Sequence, residues 1–342
     1  MKANFKKIIL VISLLVLVSL LGIATYYFLI SKNKSEKEVR GPCLTNNEFA
    51  DYYPRPPRAL EPVTIFVKNK DTNQEKFSFQ VDNVRETYYM VQSRKCGVYT
   101  LRMFNYDPKK TKQDPGYRDE LWKYTYDGKG ESIMLLAEKP EEFISYYSPQ
   151  FQIDPSERYV ALIKGYLGSP DYALVIKDLK TKEDIFFLTM AEIERQNSEI
   201  MGNISFENWW SSDGRYFWAR THIGANTLGF FKIDTTNWKY EIFPAPEGVP
   251  GGAAFNVNTG YITVHPNLIW YGIAEITEQE KERRRKEGIG SELYIYNLVT
   301  EEKYFVTKTD EPLWDFWPKW LSDTELEYEL PTGEKKVYKI EE

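Results

Sequence analysis

The sequence predicts an all-β chain: a β-propeller of about five four-stranded blades preceded by one N-terminal transmembrane helix. Three observations predict it. Wide and β-branched side chains are abundant, with 25 Tyr, 19 Phe and 9 Trp, and such residues pack well on a pleated sheet while losing rotamer freedom in a helix. One turn-and-strand pattern recurs along most of the chain, and a single uncharged apolar run lies near the start. With 42% hydrophobic and 27% charged residues over 342 positions, the chain has enough apolar surface to offset its ordering entropy, which excludes disordered and collagen-like classes.

Residues 1–7 are a short leading end, and residues 8–30 are the apolar run. IILVISLLVLVSLLGIATYYFLI holds 23 residues without a charge, a helix of roughly 35 Å, longer than the ~30 Å hydrocarbon layer of a bilayer. Tyr26 and Tyr27 would sit at headgroup depth. The run is too long for the apolar region of a signal peptide, and neither an A-x-A-like site nor an adjacent Cys follows it. It therefore reads as an uncleaved anchor. Its short leader places the N-terminus inside and the bulk outside the cytoplasm, although Lys32, Lys34, Lys37 and Arg40 outnumber Lys2, Lys6 and Lys7. The two cysteines, Cys43 and Cys96, both fall in the outer part, where an oxidising compartment allows a disulfide between them or leaves two thiols.

Residues 31–60 read as a stalk, charged and then proline-rich through Pro42, Pro54, Pro56 and Pro57. Residues 61–342 are the propeller. Three of the 44 basic residues precede the span, leaving 41 against 50 acidic residues and a net charge of −9. No clustered basic face suited to nucleic acid is present.

Four segments share a polar turn followed by an apolar strand: IDPSERYVALI (153–163), SSDGRYFWAR (211–220), VHPNLIWYGIA (264–274) and LSDTELEYEL (321–330), with SRKCGVYTLRMF (93–104) as a weaker fifth. Taking Tyr99, Tyr159, Tyr216, Ile269 and Leu326 as equivalent points gives steps of 60, 57, 53 and 57 residues. A hairpin signature follows in each unit, as in YALVIKDLKTKEDIFFLT (172–189) and LYIYNLVTEEKYFVT (293–307). Four strands per unit of this length are a propeller blade. The hairpin at 63–81 is left unassigned by this division, and a strand from it is expected to complete the last blade and close the ring. A sixth blade drawing on residues 63–92 is the other division.

The turns SSDGRYFWAR and IDPSERYVALI, with YALVIKDLKTKE and LYIYNLVTEE, resemble the repeats of TolB-type propellers, which also occur in the propeller domains of prolyl oligopeptidase relatives. The resemblance implies a propeller and leaves its task open, because such domains serve as docking platforms, lids and envelope components. The second turn has Pro155 and Ser156 where Asp-Gly is usual, the third has His265, Pro266 and Asn267, and the first lacks the signature.

Catalytic and metal motifs are absent. Only His222 and His265 exist, there is no G-x-S-x-G elbow, H-E-x-x-H, paired C-x-x-C or phosphate loop, and no cofactor is expected. Both histidines read as turn residues with satisfied hydrogen bonds. Asp154, Asp213 and Asp323 read as turn formers rather than as a cation-binding ring. Candidate binding residues are Trp209, Trp210, Trp314, Trp317 and Trp320, because adjacent strand residues face opposite ways and some rings should reach a surface. Arg283, Arg284 and Arg285 lie in a charged helical insertion, ITEQEKERRRKEGIG, whose interleaved glutamates also suit local ion pairs. The functional expectation is a non-catalytic platform, held to the membrane by residues 8–30, for a protein, peptide or glycan. A glycan-active enzyme with paired carboxylates, or an envelope assembly factor, is the alternative.

Overall fold

The computed structural model describes residues 42–53, 62–82, 91–104, 118–136, 142–144, 151–166, 172–200, 202–206, 209–224, 226–249, 253–268 and 274–341. The expected span at 8–30 lies outside these residues, and no helix among the described residues is long and apolar enough to cross a membrane.

Among the described residues, six antiparallel sheets follow one another along the chain. The first joins β1 (Glu48–Tyr53), β2 (Val63–Asn69) and β3 (Glu75–Val81). The second joins β4 (Val91–Arg94), β5 (Gly97–Phe104), β6 (Arg118–Tyr124) and β7 (Gly130–Leu135). In the third, the short β8 (Glu142–Ile144) and β9 (Phe151–Ile153) both pair with β10 (Tyr159–Tyr166), followed by β11 (Tyr172–Asp178) and β12 (Asp184–Thr189). The fourth comprises β13 (Asn203–Ser205), β14 (Tyr216–Ile223), β15 (Asn226–Asp234) and β16 (Lys239–Pro244). The fifth holds β17 (Tyr261–Val264), β18 (Ser291–Asn297) and β19 (Lys303–Thr309), with a bridge from Phe255 to Ile262 marking its first strand position. The sixth holds β20 (Lys319–Trp320), β21 (Glu325–Glu329) and β22 (Lys335–Lys339). Among the described residues two α-helices interrupt the series, α1 (Met190–Gln196) and α2 (Ala274–Glu287).

Repetition extends to individual hydrogen bonds. In the hairpins closing four sheets, an Asx side chain accepts from backbone N–H groups two and three residues on. Asn69 accepts from Asp71 and Thr72, Asp178 from Lys180 and Thr181, and Asn297 from Val299 and Thr300, while Asp234 accepts from Thr236. Each turn then needs one left-handed residue, which falls on Asn73, Lys182, Trp238 and Glu301. This turn lies between the third and fourth strands, so it fixes each strand's place in its sheet. β1, β2 and β3 are accordingly the second, third and fourth strands of their own blade.

The six sheets correct the expected count of about five. The hairpin at 63–81 does not complete the last sheet; it pairs with β1, which the sequence reading had placed in the stalk. Among the described residues no strand joins the sixth sheet to the first. Among the described residues the last strand of the sixth sheet is β22, its third. Third strands elsewhere are mostly buried, as in β11 and β18, whereas β22 is KKVYK with every residue but Tyr338 exposed. The fifth unit is also corrected. Asn256 N–H bonds to Tyr261 O, as Asp154 N–H bonds to Tyr159 O and Ser211 N–H to Tyr216 O. Tyr261 is thus the equivalent point in the fifth sheet, whereas Ile269, which the spacing had suggested, lies outside the described residues.

Successive connections in an up-and-down sheet alternate ends, which gives the molecule two distinct ends. Tight turns between first and second strands, and the Asx hairpins, occupy one. Helices α1 and α2 and the segments 245–249 and 310–318 occupy the other. Both faces of an inner sheet are covered by its neighbours. One buried cluster spans the first to third sheets, a second the third to fifth, and a third the fifth and sixth.

Candidate functional site

At the turn end, neighbouring sheets are joined by polar side chains. Glu157 accepts from Cys96 N–H at 2.8 Å, Tyr99 Oη at 2.8 Å and Lys123 Nζ at 2.9 Å, linking the third sheet to the second. Burial alone would raise the Glu157 pKa, but the bonds from Lys123, Cys96 and Tyr99 outweigh it and hold the carboxyl below its ordinary range. The Tyr99 hydroxyl is pushed up by burial and by that carboxylate. Arg94 donates to Ile153 O through Nε at 3.0 Å, and burial lowers its pKa despite nearby Asp154 and Glu157. Farther along, Ser212 N–H donates to Asn258 Oδ1, and Asn258 Nδ2 donates to Asp323. Asp154 accepts from the N–H groups of Ser156, Arg158 and Tyr159, so it shapes its own turn. Asp213 accepts from Arg215 N–H and the Ser211 hydroxyl. Cys43 and Cys96 are bonded to each other at this same end.

The loop end holds the one singled-out tryptophan that is open to solvent. Trp209 and Trp210 are only 6% and 5% exposed. Their rings do face opposite ways, but each meets a neighbouring sheet. Trp209 packs on Phe230 and Phe255, and Trp210 packs on Phe217 and donates to Gln152 O. Trp320 stacks on Tyr261 and donates to Ala254 O, closing the junction of the fifth and sixth sheets. Trp314 donates to Glu329 O. Trp317 is 56% exposed, edge-on to Trp314 with ring centroids 4.6 Å apart.

The segment carrying Trp317 is fixed and conformationally costly. Glu311 O accepts from the Ser291 hydroxyl, Ser291 Oγ accepts from Trp314 N–H, and Phe316 O accepts from Glu329 N–H. Phe316 is fully buried. Leu313, Phe316 and Trp317 have φ of 55°, 58° and 40°, a region that bulky side chains seldom adopt and that structures retain where surrounding contacts impose it. Anchors at 311, 314 and 316 thus present Trp317 outward. Burial raises the Asp315 carboxyl pKa beside it.

The basic insertion lies next to this segment, and its charges are already matched. Arg283 pairs with Glu280 and Glu287, Arg284 with Glu280, and Arg285 with Glu311 at 2.7 Å. Bonds from Arg283 and Arg284 hold the Glu280 carboxyl at about 2. Arg284 is buried and also reaches Asn267 O, pinning α2 to the segment after β17. Arg284 and Arg285 therefore tie the insertion to the segment after β17 and to the segment carrying Trp317, Arg283 is matched within α2, and the three do not form a free basic patch.

His265 departs from the expected turn role. It is 2% exposed beside Phe316, and neither ring nitrogen has a hydrogen-bond partner. Burial lowers its pKa to about 4, so the ring is neutral at pH 7. Gly248 caps it from the preceding connection, accepting from His265 N–H, and a Cβ on Gly248 would lie 2.7 Å from Pro266 Cα. His222 lies at a turn with Nδ1 3.0 Å from Gly224 O. No group of three or more His, Cys, Asp and Glu side chains is placed to hold a metal ion among the described residues.

No protein-family model and no curated protein matches the sequence. Solved structures do show likeness in fold. The chain is 12% identical to TolB from Acinetobacter baumannii at a TM-score of 0.42, over 87% of this chain and 64% of that one. It is 11% identical to the β-propeller domain of the Trilobed protease from Pyrococcus furiosus, described as having an open velcro topology, at a TM-score of 0.43 over 88% and 80%. Acylaminoacyl peptidase from Pyrococcus horikoshii gives 10% and 0.44, over 88% of this chain and 44% of that one. The chain thus spans under two thirds of TolB's length. The turns that resemble the TolB-type repeat, 154–159 and 211–216, occupy equivalent places in the third and fourth sheets.

Sequence reasoning missed the Glu157 network and the unpartnered His265. Glu157 had a signal: it occupies the left-handed position that Gly214 takes in the next repeat, with φ of 59° and 73° respectively. A charged residue there, where glycine is cheapest, points to a bond worth the backbone cost.

Proposed function

We propose that this chain is a membrane-anchored, extracytoplasmic, non-catalytic docking platform whose contact surface lies at the loop end of the fifth and sixth sheets. The observation that carries the reading is Trp317, exposed on a segment fixed at 311, 314 and 316. A large ring held in place brings contact area at little entropy cost, as residues that dominate interfaces do. The partner is a protein, peptide or glycan that covers this ring. The anchor is residues 8–30, and the Cys43–Cys96 bond suits the oxidising side of a membrane.

The full chain, extracted in mild detergent from cells that naturally carry it, is expected to run in a complex larger than its own mass. Trp317→Ala is expected to reduce the complexed share at least fivefold, an effect of a size common at interface hot spots, while leaving the melting temperature unchanged. An unchanged share in the folded variant would move the contact elsewhere. A membrane-impermeant thiol reagent applied to intact cells, with cysteine introduced at exposed Val299, reads the side of the membrane; labelling only after lysis would reverse the orientation.

A further inference from the structure

Cys43 and Cys96 bracket the first sheet. Cys43 precedes β1, and Cys96 sits in the turn between β4 and β5, so a bond spanning 53 residues of sequence encloses β1, β2 and β3, together with the short first strand of the second sheet, β4, in one covalent loop. The bond lies at the turn end, where the other described junctions between sheets rely on side-chain hydrogen bonds. Its companions there are two backbone bonds, from Leu44 N–H to Lys95 O at 2.8 Å and from Tyr126 N–H to Pro42 O at 3.0 Å. Among the described residues the first sheet touches the second, with β1 against β4, and pairs with no strand of the sixth. Val63, Ile65 and Val67 of β2 are fully buried in the cluster shared with the second and third sheets. Both cysteines are partly exposed, within reach of a reductant.

We propose that the first sheet is a redox-gated unit: with the Cys43–Cys96 bond intact it stays docked on the second sheet, and on reduction it opens by itself while the remaining sheets stay folded. A dithiol reductant supplies two electrons and two protons; the S–S bond breaks, Cys43 and Cys96 become thiols, and the reductant closes to its own disulfide. Opening would uncover the buried face of β2 and the β4 edge beside it. Loop-closure entropy over this separation implies an opening equilibrium shifted by roughly a hundredfold or more. This inference stands apart from the docking reading, since it concerns the opposite end of the molecule.

Hydrogen exchange of the full chain in detergent, oxidised and after dithiol treatment, tests it. Amides of 63–81 are expected to exchange about a hundredfold faster after reduction, while those of β10, β11, β14 and β15 keep their rates. Alkylation reports whether both thiols have formed. Unchanged exchange at 63–81 with both thiols alkylated would overturn the proposal, as would a common acceleration in all sheets, or a bond that folded protein never yields to the dithiol. The Cys43→Ser, Cys96→Ser double variant is expected to show the fast rates under both conditions. Should that variant fail to fold, the measurement on reduced wild-type chain still decides.

Discussion

Glu157→Ala is expected to lower the unfolding free energy by about 3 kcal/mol, the scale of removing one partner from a buried, charge-assisted network. The substitution strands three groups at once: the Lys123 ammonium, the Tyr99 hydroxyl and the Cys96 N–H. Alanine keeps a Cβ at the left-handed position, so it isolates the carboxylate. Glu157→Gly also removes the carboxylate but relieves a backbone cost of about 1 kcal/mol, and should fall short of wild type by about 2 kcal/mol for that reason. Urea unfolding of the three chains checks both steps. Alanine and glycine variants of equal stability would show that no backbone cost is stored there, and losses under about 0.5 kcal/mol would show that the network is exposed in effect. Because the folded-state pKa of Glu157 is depressed, its contribution is present above the unfolded carboxyl pKa and lost as pH falls through the folded value.

The second large effect is an acid one at His265. An imidazole with an ordinary pKa of 6.5 in the unfolded chain and about 4 in the folded one favours unfolding as it takes up a proton. The sign follows from proton counts: between these values the unfolded chain binds more protons, so stability is full above 6.5 and declines as pH falls towards 4. A difference of that size corresponds to about 3 kcal/mol. His265→Phe removes a titrating group without stranding a partner, since neither ring nitrogen has one. The variant should equal or exceed wild type at pH 7 and show a flatter decline between pH 6.5 and 4. A wild-type slope persisting in the variant would assign the acid response to other groups.

How much of this was legible beforehand depends on which interactions are local. The turns at 154–159 and 211–216 carry their own hydrogen-bonding residues, as does the Asx hairpin from 178 to 182, so pattern alone placed them. The α2 helix was equally plain from its charge pattern and from Gly288, which takes φ of 70° just past its end. The blade count failed where pattern and pairing separate. Residues 63–81 have the alternation of any hairpin, and only the partner β1 shows that they form a sheet of their own.

The candidate site shows the same division. Strand alternation led to the expectation that some of the rings reach a surface; that Trp209 and Trp210 each end against a neighbouring sheet is a tertiary fact. Arg283 finds its partners within its own helix, at the three- and four-residue spacings visible in sequence. Arg285 instead reaches Glu311, an encounter that the fold alone creates. That ion pair joins the basic insertion to the tryptophan segment, two candidates that the sequence kept apart.

Photo-crosslinking in the native membrane tests the central claim most directly. A benzophenone side chain replaces Trp317 in one full-length chain and Val299, exposed in an Asx hairpin at the turn end, in another. A platform with its contact at the loop end predicts one discrete adduct from position 317 and none from position 299. An adduct from 299 alone, or none from 317 in a chain that folds and reaches the membrane, would contradict it.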